Sequence, residues 1–187
     1  AGESGSLMTT VRESASKWVR RWQGLVHQGP VLDMTCGHGR NTALFILAGF
    51  PVLACGEDVR ALEPLVGNAL LTLECRDLEN EEWPWPAAAF SAVLITEAVS
   101  RALLEKAWDS LCPEGVLIVE MPTAADQLLN GRTSDCRAPE EGELLKALPT
   151  DARLVAYEEG ADENERIRVR LVAVKRGNPT PYAYLVR

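Results

Sequence analysis

The sequence predicts an α/β domain on a doubly wound, mostly parallel seven-stranded sheet that finishes in an antiparallel hairpin. Three observations carry that prediction. Short apolar runs alternate with helical patterns from about residue 14 to residue 148. Those runs lack the polar alternation of half-exposed strands, as suits a parallel sheet covered on both faces. Two strand-like segments flanking the polar "ADENE" then close the chain as a hairpin.

Each element follows in order. In "ESASKWVRRWQGLV" the residues Trp18, Trp22, Leu25 and Val26 recur at helical spacing, with Ser14 or Ser16 as N-cap. "PVLDMT" is a short strand ending in Asp33; a turn with Gly37 and Gly39 follows, then the helix "RNTALFILAG", closed by Gly49. The unit repeats as the strand "PVLACGED", the helix "VRALEPLVGNA" and the strand "LLTLECRDL", before the connection "WPWPAAAF". "SAVLITEA" is a fourth strand, "SRALLEKAWDSL" an amphipathic helix, "CPEG" a turn and "GVLIVEMP" a fifth strand. The polar stretch Thr123 to Glu141 reads as a loop or broken helix over one sheet edge, and "EEGELLKAL" restores a helix. "ARLVAYEEG" and "RIRVRLVAVKR" form the hairpin, and the Pro-punctuated tail "GNPTPYAYLVR" fits no single element.

Composition bounds the function. A chain of 187 residues, 25% charged and 47% hydrophobic, suits one domain, residues 8–187, and holds no apolar run long enough to cross a bilayer. Residues 1–7, "AGESGSL", are small and polar and read as an expression remnant outside the fold. The net charge of -8 argues against a phosphate-backbone footprint, because nucleic-acid affinity comes from clustered Lys and Arg, and "KWVRRW" is the one basic cluster. The expected partner is therefore a small molecule, with no nucleic acid and no membrane, on a monomer or homodimer. Five cysteines, Cys36, Cys55, Cys75, Cys112 and Cys136, are odd in number and lack C-x-x-C spacing, which fits free thiols in a reducing cytoplasm. Cys36, Cys55 and Cys75 fall near the carboxyl ends of three neighbouring strands, where small buried thiols outweigh a metal site. With His27 and His38 the only histidines, no metal is expected.

Ligands of doubly wound sheets bind at the carboxyl ends of the strands, near the point where strand order reverses. The chemistry should lie at residues 33–40, 55–58, 75–78, 96–100 and 120–122. At the first of these, Gly37 and Gly39 let the backbone approach a ligand, while Asp33 can accept hydrogen bonds from loop amides or a ligand ammonium. The loop is no P-loop, lacking G-K-S/T, and no dinucleotide fingerprint, lacking the third Gly.

The ordered segments "SKWVRRW", "PVLDMTCGHGR", "AGFPVLACGEDVRAL", "CRDLENEEWPWP", "FSAVLI", "LCPEGVLIVE", "GELL" and "LVAYEEG" resemble, from Ser16 to about Arg176, the class I S-adenosylmethionine-dependent methyltransferases. The look is nearest to small bacterial members of the tellurite-resistance or generic kind. The resemblance implies a Rossmann-like methyltransferase fold and S-adenosylmethionine as cofactor, with S-adenosylhomocysteine as product. It places the family's acidic, glycine-rich loop on Asp33, Gly37 and Gly39, with Thr35 in place of the first Gly. The acid that holds the ribose hydroxyls falls on Gly56, so Glu57 or Asp58 would have to serve. Asp77 and Leu78 match the acid and the amide that meet adenine, with Trp83 and Trp85 beside them. After the fourth strand the family's Asn-Tyr-Leu-His-Arg is matched by Glu97, Ala98, Val99, Ser100 and Arg101, which leaves no His. Glu120 matches a frequent Glu, Glu114 replaces a Gly, and Trp18, Arg21 and Trp22 fall on a segment that lies over the cofactor as a lid. An amphipathic helix packed on the sheet is the other reading of that segment.

Methyl transfer to a small-molecule acceptor is the activity so implied, with Glu97, Glu120 and His38 as candidate general bases. Two rivals stand beside it. One is a protein that kept the fold but lost catalysis, as Thr35, Gly56 and Glu114 suggest; the other is a nicotinamide-dependent oxidoreductase, disfavoured by the absent third Gly.

Overall fold

The strands that the apolar runs predict all form. The computed structural model describes residues 9–132 and 135–177. Its seven strands are β1 (Val31–Asp33), β2 (Val52–Gly56), β3 (Leu71–Cys75), β4 (Phe90–Ile95), β5 (Leu111–Pro122), β6 (Ala152–Ala161) and β7 (Ile167–Lys175), in the spatial order β3-β2-β1-β4-β5-β7-β6. Strands β1 to β5 run parallel, while β7 lies antiparallel to both β5 and β6. Strand order reverses between β1 and β4, which opens the crevice at their carboxyl ends.

The near-continuous apolar strands bury both faces, each against helices. Helix α1 is described over residues 9–14. It is followed by α2 (Lys17–Trp22) and α3 (Arg40–Leu47), and Trp18, Val19, Trp22, Leu44 and Phe45 pack with Val31, Val52, Leu94 and Ile118 on one face. On the other face α4 (Arg101–Asp109) and α6 (Glu143–Lys146) bring Leu103, Ala107, Trp108 and Leu144 against Leu32, Val93, Ile95 and Leu117. Successive residues of β4 thus point to opposite layers, as the pleat requires. Ser16, rather than Ser14, is the N-cap of α2, accepting from the Val19 amide at 3.2 Å.

Three expectations are corrected here. The segment read as the helix "VRALEPLVGNA" forms only a 3-10 run, Arg60–Leu65, because Pro64 removes an amide donor and Gly67 adopts φ +95°. Strand β5 begins before "GVLIVEMP" and takes in "CPEG", with Glu114 at φ +65° where the family has Gly. Glu114 is held there by the Gly177 amide, which donates to its Oε1 at 2.7 Å. The lid reading also gives way, since Trp18 and Trp22 are buried under the sheet and Arg21 stacks on both rings, 5.9 and 5.0 Å from their centroids.

The polar stretch contains a further helix, α5 (Ala124–Asn130), capped by Thr123. Buried Asp126 pins it to the start of β7, accepting from Arg166 at 2.6 Å and from the Ile167 amide at 2.8 Å. Residues 1–7, and most of the Pro-punctuated tail, lie outside the described residues. No described helix is long and apolar enough to cross a membrane.

Candidate functional site

A groove of about 630 Å³ opens at the reversal point, within the roughly 300–1,000 Å³ typical of small-molecule sites. Its walls are the ends of β1 to β4 and the loops after them. Six carboxylates line it, Glu57, Asp58, Asp77, Glu79, Glu97 and Asp135, against one cation, Arg76.

The floor is the turn after β1. Thr35, which stands where the family has Gly, adopts ordinary backbone angles and is put to use: its Oγ1 accepts from the Thr96 amide at 2.8 Å and lies 3.2 Å from the Thr96 hydroxyl. This clip fastens the β1 loop to the end of β4. On the other side the Cys36 amide donates to the Cys55 carbonyl at 3.0 Å. Gly37 then turns at φ +49°, and a Cβ placed on it would meet nothing within 4 Å, so the turn is open. Gly39, at φ +79°, sits so close to buried Leu62 that a Cβ would lie 2.7 Å from its Cγ.

Asp33 supports the loop from behind and does not line the groove. It is 1% exposed; its Oδ2 accepts the Thr42 hydroxyl at 2.7 Å, and its Oδ1 is buried with no hydrogen-bond partner among the described residues. Burial pushes its pKa up to about 6, against the lowering effect of the Thr42 hydroxyl.

At Gly56 a Cβ would lie 3.0 Å from the sulfur of buried Cys36, so an acid there would crowd the thiol and need it to give by a few tenths of an ångström. Glu57 and Asp58 both reach the groove, but they differ. Asp58 is clamped by Arg60, whose Nε and Nη2 donate to it at 2.9 and 2.6 Å, and this pairing holds its pKa below the usual carboxylate range. The Glu57 side chain forms no hydrogen bond or ion pair with the described residues. Its charge faces Glu97 across the groove; desolvation first, and the Glu57 charge second, push Glu97 above its ordinary value.

After β3, Asp77 and Leu78 both line the groove. The Asn80 side chain donates to Asp77 Oδ2 at 2.7 Å and orients the carboxylate, and Glu79 Oε1 accepts from the Ser100 amide at 2.8 Å, closing the wall against α4. Trp83 and Trp85 are not part of it. Their rings pack edge to face, centroids 4.9 Å apart, and Trp85 continues onto Phe90 in the core.

The three candidate bases are not brought together. Glu97 is in the groove, whereas His38 is exposed outside its lining. Glu120 is occupied elsewhere, accepting from Ser16 Oγ at 2.8 Å and Arg170 Nε at 2.6 Å. Of the three cysteines, Cys36 and Cys55 are buried and Cys75 is exposed; burial pushes both buried thiols up to about 12. Among the described residues no group of three or more His, Cys, Asp or Glu is placed to hold a metal. Arg76 and Thr96 fall inside the segments expected to carry the chemistry but were given no role there, and sequence reasoning missed Asn80, Glu79, Asp135 and Cys136. No local motif marks them, and Thr96 is 61 residues from the Thr35 it holds.

The strand order, with β7 inserted antiparallel between β5 and β6, is the fold of the class I S-adenosylmethionine-dependent methyltransferases. The comparisons agree at that level. The chain is 35% identical over 119 residues to the trans-aconitate 2-methyltransferase of Sinorhizobium fredii, a match covering 59% of this chain and 46% of that protein. The chain thus spans about half the length of this curated relative. Among solved structures it is similar to an S-adenosylmethionine-dependent methyltransferase from Mesorhizobium loti, with a TM-score of 0.67 at 14% identity over 87% of this chain and 99% of the other. It is also similar to the 1,6-didemethyltoxoflavin-N1-methyltransferase of Burkholderia thailandensis, solved with bound 1,6-didemethyltoxoflavin and S-adenosylhomocysteine, with a TM-score of 0.65 at 17% identity over 91% of this chain and 78% of the other. No family model matches.

Proposed function

We propose that the groove binds S-adenosylmethionine and that the protein transfers its methyl group to a small-molecule acceptor. The observation that carries this is the acidic groove at the reversal point, floored by the open Gly37 turn: a positively charged ligand suits six carboxylates facing one arginine. The bound cofactor would supply a methyl group on a positively charged sulfur, open to in-line attack by a nucleophile of the acceptor.

The chain's own residues bind and orient. The turn from Thr35 to Gly37 receives the methionine portion, shaped from behind by Asp33 and Gly39. Asp77, oriented by Asn80, accepts from the adenine amino group, and the Leu78 amide donates to the ring. Glu57 takes the ribose hydroxyls, because Asp58 is committed to Arg60. Glu97, with its raised pKa, is the candidate base on the groove wall for an acceptor that must lose a proton. His38 and Glu120 hold no such place.

Equilibrium dialysis with methyl-labelled S-adenosylmethionine tests the assignment. Glu57→Gln is expected to weaken binding about 10-fold or more, the worth of charge-assisted hydrogen bonds, while Asp58→Asn stays within about twofold. The reverse order would move the ribose contact to Asp58.

A further inference from the structure

Beside the groove lies a second cavity of about 250 Å³, between α4, α6 and the segment from Cys136 to Pro139. Val99 and Cys136 line both, so the two spaces meet there. The cavity differs in chemistry from the groove. Its body is apolar, with Leu104, Met121 and Leu144, and its charged lining is Arg101 and Arg137 against the single Glu143. Arg137 donates to both Glu143 oxygens, at 2.8 and 3.3 Å, which neutralises that carboxylate, and its Nη1 also lies 3.7 Å from the exposed Glu140. The second guanidinium, Arg101, sits in the first turn of α4 and pairs at 3.4 Å with Glu105, a solvent-exposed contact that screening weakens.

We propose that this cavity is the acceptor subsite and that it takes a small carboxylic acid with an apolar body. The proposal rests on the reading of the groove as the methyl-donor site. In a chain of net charge -8, a cavity lined by two guanidiniums and one carboxylate suits an anion better than the adjoining groove, whose six carboxylates repel one. The two fields together orient the guest: its carboxylate sits at the arginine end, its apolar body along Leu104, Met121 and Leu144, and its far end points through the gap at Val99 and Cys136. The carboxylate is thus the anchor, and the group presented to the donor lies at the opposite end.

Calorimetric titration of the protein saturated with S-adenosylhomocysteine tests this, with 3-phenylpropanoate and octanoate as probes and 3-phenylpropanamide as the uncharged control. At least one acid is expected to bind about tenfold or more tighter than the amide, and Arg101→Gln and Arg137→Gln are each expected to lose about tenfold in that affinity. S-Adenosylhomocysteine affinity in both variants should stay within about twofold, since neither arginine lines the groove. Acids that bind no tighter than the amide, or that ignore both substitutions while S-adenosylhomocysteine still binds, would overturn this inference alone. A wild type that fails to bind S-adenosylhomocysteine would overturn the donor reading and the inference with it.

Discussion

Gly39→Val is expected to destabilise the protein by about 2–5 kcal/mol and to lower its melting temperature by roughly 5–15 °C. Two effects add. At φ +79° a side chain costs about 1–2 kcal/mol through its clash with the following carbonyl, and here the new Cβ also lies 2.7 Å from Leu62 Cγ. Leu62 is fully buried against Cys36 and Ala54, so any shift of its side chain disturbs that packing. Gly37→Ala is the control, because its φ of +49° carries the backbone strain while its Cβ meets nothing. Thermal melts of the two variants should therefore differ by several degrees. Equal melting temperatures would mean that Leu62 yields and that the 3-10 run does not brace the loop.

The second large effect is a pH dependence at Asp33. Its pKa in the folded protein, about 6, lies above the ordinary value of 3.8, so the native state holds a proton that the unfolded chain releases earlier. Stability from this group is therefore full below about pH 4 and falls as pH rises toward 6, by up to about 3 kcal/mol at 1.36 kcal/mol per unit. Asp33→Asn removes the ionisation while its amide oxygen can still accept from Thr42. The stability of Asp33→Asn relative to wild type should then increase by up to about 3 kcal/mol between pH 4 and pH 7.5, read from urea unfolding at each pH. A difference that stays flat over that range would mean that the Thr42 hydroxyl and the Thr35 and Thr42 amides offset the burial of this carboxyl. Comparing the two proteins cancels groups that titrate in the window without interacting with Asp33; the Glu97 charge, which itself helps to raise the Asp33 pKa, is part of the difference being measured.

What the sequence made legible was set by local chemistry. The strands were readable because β1, β2, β4 and β5 bury both faces and so are apolar throughout, and the β1 turn because Gly37 and Gly39 take positive φ. The β6–β7 hairpin was readable from the polar stretch between its arms. Most of the failures involve partners distant in sequence. The choice between lid and core for Trp18 and Trp22 depended on whether β5 lay beneath them. The role of Thr35 depended on Thr96, and the crowding at position 56 on the Cys36 thiol beside it. Glu120 looked free for chemistry only until Ser16 and Arg170 were placed beside it. The 3-10 run and the early start of β5 are local departures: Pro64 removes an amide donor from the run, and "CPEG" continues the strand rather than turning it.

The central claim is that the acidic groove holds S-adenosylmethionine by its adenosine and methionine parts. Calorimetric titration of wild type and Asp77→Ala with S-adenosylhomocysteine, with NADH as control, tests it most directly. Micromolar binding that Asp77→Ala weakens about 10-fold or more, with no heat from NADH, is the result the geometry of Asp77, Asn80 and Leu78 predicts. Absence of binding at millimolar concentration, or an affinity that ignores Asp77, would contradict it and leave a methyltransferase fold whose groove serves another ligand.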